Sequence, residues 1–210
     1  MAVIWTSEAY APGNFSLWSG TQVISSDRAQ VVTPPAEVGG GPKSRAKIGY
    51  YRINAADNEP LGNASAQRAE AVAFSSLLTN NCQGSDMWVA WESYFGDPAV
   101  VSDANAYRPA IGTAWNQVTQ WHQSGGIVVQ PLTMYVDTPS SNPSTWRFGA
   151  WSRGGVETNP APIVHHDFGP FTYGWHEWRV FIHWGQANGR FKVWQNGVVV
   201  NDYTGPVGYN

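Results

Sequence analysis

Charge is scarce in this chain of 210 residues. Only 13% of them are Asp, Glu, Lys or Arg, about half of the roughly 25% usual for soluble domains. The 12 basic residues are spread along the chain, only Lys43, Lys47 and Lys192 among them are lysines, and the net charge is −3. A broad nucleic-acid footprint needs clustered cations that displace counterions from phosphate, so that class of partner is excluded. A local groove remains open, and the bias to Arg suits planar, bidentate contact with carboxylate or sulfate.

Other absences narrow the class further. Cys82 is the single cysteine, so no intrachain disulfide forms and no zinc-type spacing exists around it. No apolar run approaches the length of a membrane span, which argues against a membrane partner. Met1 to Gly20 contains Glu8 and lacks both a basic start and an apolar stretch, so it does not read as a signal peptide. The expected location is extracellular or on a virion surface, reached without a leader or with the leader missing from this sequence. Helix-forming stretches are nearly absent, Ser65–Ala73 being the one with moderate propensity.

What the chain has is aromatic rings and turns. There are 12 Trp, 9 Tyr and 8 Phe beside 22 Gly and 14 Pro. So many large rings make disorder untenable, because each would forgo its burial free energy. At this length the chain can close one core without staples, and one domain is expected.

The pattern between turns has a period of two. In Met87–Phe95, Met87, Val89, Trp91 and Phe95 fall on one face, with Trp88, Glu92 and Tyr94 on the other. In Trp175–Trp184, His176, Trp178, Val180, Ile182 and Trp184 share a face. Both are strand patterns with one buried side. Phe191–Gln195, Asn196-Gly197 and Val198–Val200 predict a hairpin, since Asn-Gly supplies the positive φ angles of a type I′ turn. Thr33–Lys43, Thr138–Ser144 and Gly154–Pro162 are rich in Pro, Gly, Ser and Asn and read as loops. The fold class expected is all-β, an antiparallel two-sheet jelly roll.

Three segments can carry chemistry. In Gln67–Phe74, extended backbone would put Arg68 and Glu70 on one side. In Trp115–Gln123, alternation puts Gln120 and His122 on one face and Trp121 on the other, toward the core. A neutral imidazole can take a proton near neutral pH, and a nearby amide can hold a carboxyl group on which charge develops. The third segment, Gly174–Trp178 leading into Gly189–Gly197, reads as structural. Trp146, Arg147 and Trp151 are further candidates, as groove lining or as interior; Trp146 and Arg147, with Glu70, are taken as substrate-binding. His165-His166-Asp167 is a weak metal cluster, because neighbouring residues on a strand point to opposite faces. No metal site is expected, and a structural calcium ion is left open without any dense acidic loop to hold it. A glycoside hydrolase needs two carboxylates across a groove, and no Glu-x-Asp-x-x-Glu segment is present.

Taken in order, Ile48–Asp57, the Arg-x-Glu of Arg68 and Glu70, the Gln-x-His of Gln120 and His122 and the Trp-rich strand with its Asn-Gly hairpin resemble a known family. The chain is similar to polysaccharide lyases of the heparin-lyase and alginate-lyase jelly-roll type, which share a concanavalin-like fold. The resemblance implies a single lyase-like domain over residues 1–210 and β-elimination on a uronic-acid polysaccharide without a cofactor. It implies His122 as base or carboxylate neutraliser, Gln120 and Arg68 holding the carboxyl, and Glu70 orienting Arg68. The family's third motif, Tyr-x-Lys-x-Gly-x-Tyr, does not follow the hairpin within Tyr203–Asn210. The expectation is therefore either a sequence that stops before that last strand or a fold kept for glycan binding, as in an adhesion domain assembling with other virion subunits. Lys47–Tyr51 fits part of the motif, with Arg45 where the tyrosine would stand, and would matter if Tyr50 or Tyr51 lay beside His122.

Overall fold

The computed structural model describes residues 20–23, 29–32, 36–37, 48–51, 69–72, 84–102, 106–109, 111–112, 116–121, 130–156 and 159–209. The chain divides into two compact units, Met1–Thr79 and Asn80–Asn210. In the first, β1 (Gly20–Val23) pairs antiparallel with β4 (Ala69–Val72), and β2 (Ala29–Val32) with β3 (Ile48–Tyr51). The moderate helix propensity of Ser65–Ala73 is thus overridden by strand pairing over Ala69–Val72, a common outcome for a weak local preference.

The second unit is a sandwich of two sheets, and the all-β jelly-roll class expected from the pattern is what it forms. Its strands are β5 (Asp86–Phe95), β6 (Asn116–Trp121), β7 (Leu132–Asp137), β8 (Arg147–Ser152), β9 (Gly154–Val156), β10 (Asn159–Pro160), β11 (Val164–Pro170), β12 (Gly174–His183), β13 (Gly185–Gln195) and β14 (Val198–Tyr209). One sheet has the order β10-β9-β14-β13-β12-β5 and the other β11-β8-β7-β6. Gly154–Pro162, read as a loop, contributes instead the two short strands β9 and β10 at a sheet edge. The edge tolerates Pro160 because a ladder N–H is not needed there.

The long strands follow the period-two reading residue by residue. In β12 the buried side carries His176, Trp178, Val180 and Ile182. Facing them across the sandwich are Leu132, Met134 and Val136 of β7 with Phe148 and Ala150 of β8. Trp178, Phe148 and Phe191 are each 2% exposed or less, and burying such side chains stabilises by roughly 1.5–3 kcal/mol each. The hairpin between β13 and β14 turns on Asn196 (φ 51°) and Gly197 (φ 82°), as Asn-Gly requires.

Two imidazoles lie in this interior. His166 accepts or donates through Nε2 to Ser152 Oγ at 2.8 Å and packs edge-on against Tyr203. His176 sits between Gln195 and the carbonyl of Thr172, at 2.9 Å from each. Burial, the larger cause, and then neighbouring His165 push His166 down from 6.5 to about 4; burial also lowers His176. A histidine depressed in the fold binds its proton more readily in the unfolded chain. Stability is therefore full above pH 6.5 and falls as pH drops through the window down to about 4. Thermal melts across that window should show a shallower acid limb in His166→Asn than in the wild type. An unchanged limb would mean that His166 is not charged on unfolding.

Candidate active site

The polar face of this sandwich is written in β7, Leu-Thr-Met-Tyr-Val-Asp. Leu132, Met134 and Val136 enter the core, so Thr133, Tyr135 and Asp137 project from the other side of the four-stranded sheet. Register extends that face across neighbouring strands. Gln120 of β6 lies opposite Thr133, Thr133 opposite Trp151, and Trp151 opposite His165. In the next row Gln117, Tyr135, Gly149 and Asp167 are aligned, and in the third Asp137 faces Arg147. Trp121, as its alternation predicts, packs on the core side against Trp91.

Tyr135 lies across Gly149. A Cβ at Gly149 would come within 2.8 Å of the His166 carbonyl oxygen and 3.1 Å of the Tyr135 ring. The bare glycine lets the phenol reach over β8 so that its hydroxyl meets His165 Nδ1 at 3.3 Å. Burial first, then the carboxylates of Asp137 and Asp167, push Tyr135 up to about 12. The phenol therefore carries its proton throughout the neutral range and is suited to donating it. Gly149→Val should displace this ring. The expected readout is loss of the Tyr135–His165 contact in side-chain NMR spectra, and an unchanged contact would show that the close approach is not required.

Arg147 faces solvent but is engaged. Its Nε lies 2.9 Å from both carboxylate oxygens of Asp167 and its Nη2 2.7 Å from one of them. This fork, with the Gly169 N–H, holds the Asp167 carboxyl below the usual carboxylate range. Arg147 is thus compensated on the face where substrate contact was expected. Together with Tyr135, Asp137, Gly149, His165 and Asp167 it lines an open recess of about 180 Å³.

The sequence-derived site residues are distributed unevenly. Gln120 stands on the polar face, half-buried, in the row next to Tyr135. His122, Arg68 and Cys82 lie outside the described residues. Glu70 is paired in register with Gln22 in the first unit. Trp146 is a correction: it is 5% exposed, belongs to the core cluster and donates its indole N–H to the Ser140 carbonyl at 2.7 Å. Its ring is occupied by Phe171 and Tyr173, so it presents no face for a sugar. Trp151 is fully buried, apart from the core cluster. Among the described residues no group of three or more His, Cys, Asp or Glu is arranged to hold a metal ion. Motif reading did not single out Tyr135 or Asp137, and weighed His165 only as part of a metal cluster; the alternation of Leu132–Asp137 contains the signal for the first two.

One face of the four-stranded sheet thus carries an amide, a phenol, an imidazole and the Arg147–Asp167 ion pair. The family model described as "Polysaccharide lyase" matches residues 5–210, and the chain belongs to that family. No curated protein and no solved structure matches it.

Proposed function

We propose that the protein cleaves a uronic-acid-containing polysaccharide by β-elimination on the face that carries Gln120. The observation that carries this reading is the register. Gln120, opposite Thr133, shares its face with Tyr135 and His165, and the family resemblance names His122, two residues on in sequence, as the base. In the reaction His122 removes the C5 proton of the uronate while the Gln120 amide donates to its carboxyl group, where negative charge accumulates. The C4–O bond breaks, a C4–C5 double bond forms, and the departing glycosidic oxygen takes a proton. Tyr135, protonated and lining the adjacent recess, is suited to supply it.

Mass spectrometry of the digestion products tests the reaction type. Elimination without water leaves a new non-reducing end one water lighter than hydrolysis does. Products of hydrolytic mass would contradict the proposal.

A second reading, glycan binding without cleavage, is favoured by the opposite side of the six-stranded sheet. There Trp88, 48% exposed, stacks on Trp194 at 5.5 Å and abuts Phe181, with the Lys192 ammonium 5.1 Å from the Trp194 ring. Exposed indole offers a stacking surface to sugar rings. On this reading Trp88→Ala abolishes retention on a glycan column, and the wild type releases no eliminative product. Unchanged retention in the variant would remove this surface from consideration.

A further inference from the structure

The sandwich unit is poorly built to grip a polyanion. Residues 80–210 contain six basic and nine acidic residues, so their summed field repels dense negative charge. The basic side chains on its described strands are engaged as well. Arg147 is forked onto Asp167, Arg179 onto Glu177, and Arg190 and Lys192 share Asp202. Between β8 and β9, Arg153 gives its Nε–H to the Ala161 carbonyl at 2.7 Å.

The recess on the same sheet face repeats this pattern at close range. Its charged lining is Asp137, Asp167 and Arg147, and the guanidinium is directed at Asp167. Asp137 stands opposite Arg147 in register at the rim, and His165 and Tyr135 complete the wall. A carboxylate or sulfate placed here would meet two carboxylates with only one cation, already paired. Sugar hydroxyls meet complementary groups instead. Carboxylate oxygens accept from them, the imidazole donates or accepts, and the Tyr135 ring provides an apolar edge.

We infer that the recess bounded by Tyr135, Asp137 and His165 is a subsite for a neutral, hydroxyl-bearing sugar, so that the substrate alternates uronate with uncharged sugars. The inference rests on the lyase reading for the position of the uronate, which sits at Gln120 while the sugar released with the glycosidic oxygen occupies the recess. Homopolyuronates and heavily sulfated chains would put a second charge against Asp137.

Calorimetric titration of His122→Ala with oligosaccharides of equal length tests this without turnover. The probes are hyaluronan oligosaccharides, in which glucuronate alternates with neutral N-acetylglucosamine, oligoglucuronate and heparin oligosaccharides, each at low and high salt. The alternating chain should bind about tenfold more tightly than oligoglucuronate, as expected when one like-charge contact is avoided, and its affinity should change little with salt. Asp137→Lys should reverse the preference toward oligoglucuronate, with thermal melts verifying that the variant is folded. Equal or tighter binding of oligoglucuronate or heparin by His122→Ala, or no binding of any probe, would overturn the subsite. The two proposals fail separately. An alternating preference with no unsaturated product from the wild type overturns catalysis and leaves the subsite standing. Elimination on glucuronan with no preference for the alternating chain overturns the subsite alone.

Discussion

Trp146→Ala should lower the unfolding free energy by about 3–5 kcal/mol, the usual cost of emptying a large aromatic site. Trp146 is 5% exposed and packed against Phe171 and Tyr173, and its indole N–H is satisfied by the Ser140 carbonyl. Truncation removes ring contacts and leaves that carbonyl without its donor. Denaturant unfolding followed by circular dichroism measures the effect, and Trp88→Ala is the control. At 48% exposure, Trp88 gives up only about half as much buried surface and leaves no closed cavity, so its loss should cost about half as much. A Trp146→Ala protein of wild-type stability that had lost glycan binding would return this ring to the substrate groove and contradict the packing described.

His122→Ala should reduce the rate of elimination by about 10²–10⁴-fold, the range that a positioned proton acceptor contributes. The effect should fall on kcat, because in the proposed reaction the imidazole acts as the C5 proton leaves and not on binding the sugar. Gln120→Ala should act on both kcat and KM, since in the proposed reaction the amide holds the uronate carboxyl before and during charge development. A His122→Ala protein with unchanged kcat would take the base role away from this residue.

The parts of the fold that were legible in the sequence are those where one face is buried. Met87–Phe95 and Trp175–Trp184 alternate cleanly because one side of β5 and β12 packs the core, and Asn196-Gly197 announces its turn by backbone chemistry alone. Gly154–Pro162 was misread because strands of two or three residues at an edge retain the composition of loops. Trp146 could not be placed from sequence, since an indole beside a strand end serves equally well as core or as platform. That Gln120 faces away from Trp121 was legible in the alternation of β6. Tyr135 and His165 were not, because their partnership depends on a glycine, Gly149, on the strand between them. Arg147 looked like a cation for substrate; its neutralisation by Asp167, twenty positions away, is a matter of β8–β11 register.

Absorbance of the unsaturated uronate is the most direct measure of the central claim. The protein is incubated with hyaluronan, glucuronan, alginate, pectate and heparin, and the conjugated double bond is followed continuously beside His122→Ala. The account predicts a rise with at least one uronate polymer that is lost in the variant. Chain cleavage with new reducing ends and no absorbance, or an equal rise in His122→Ala, would contradict it.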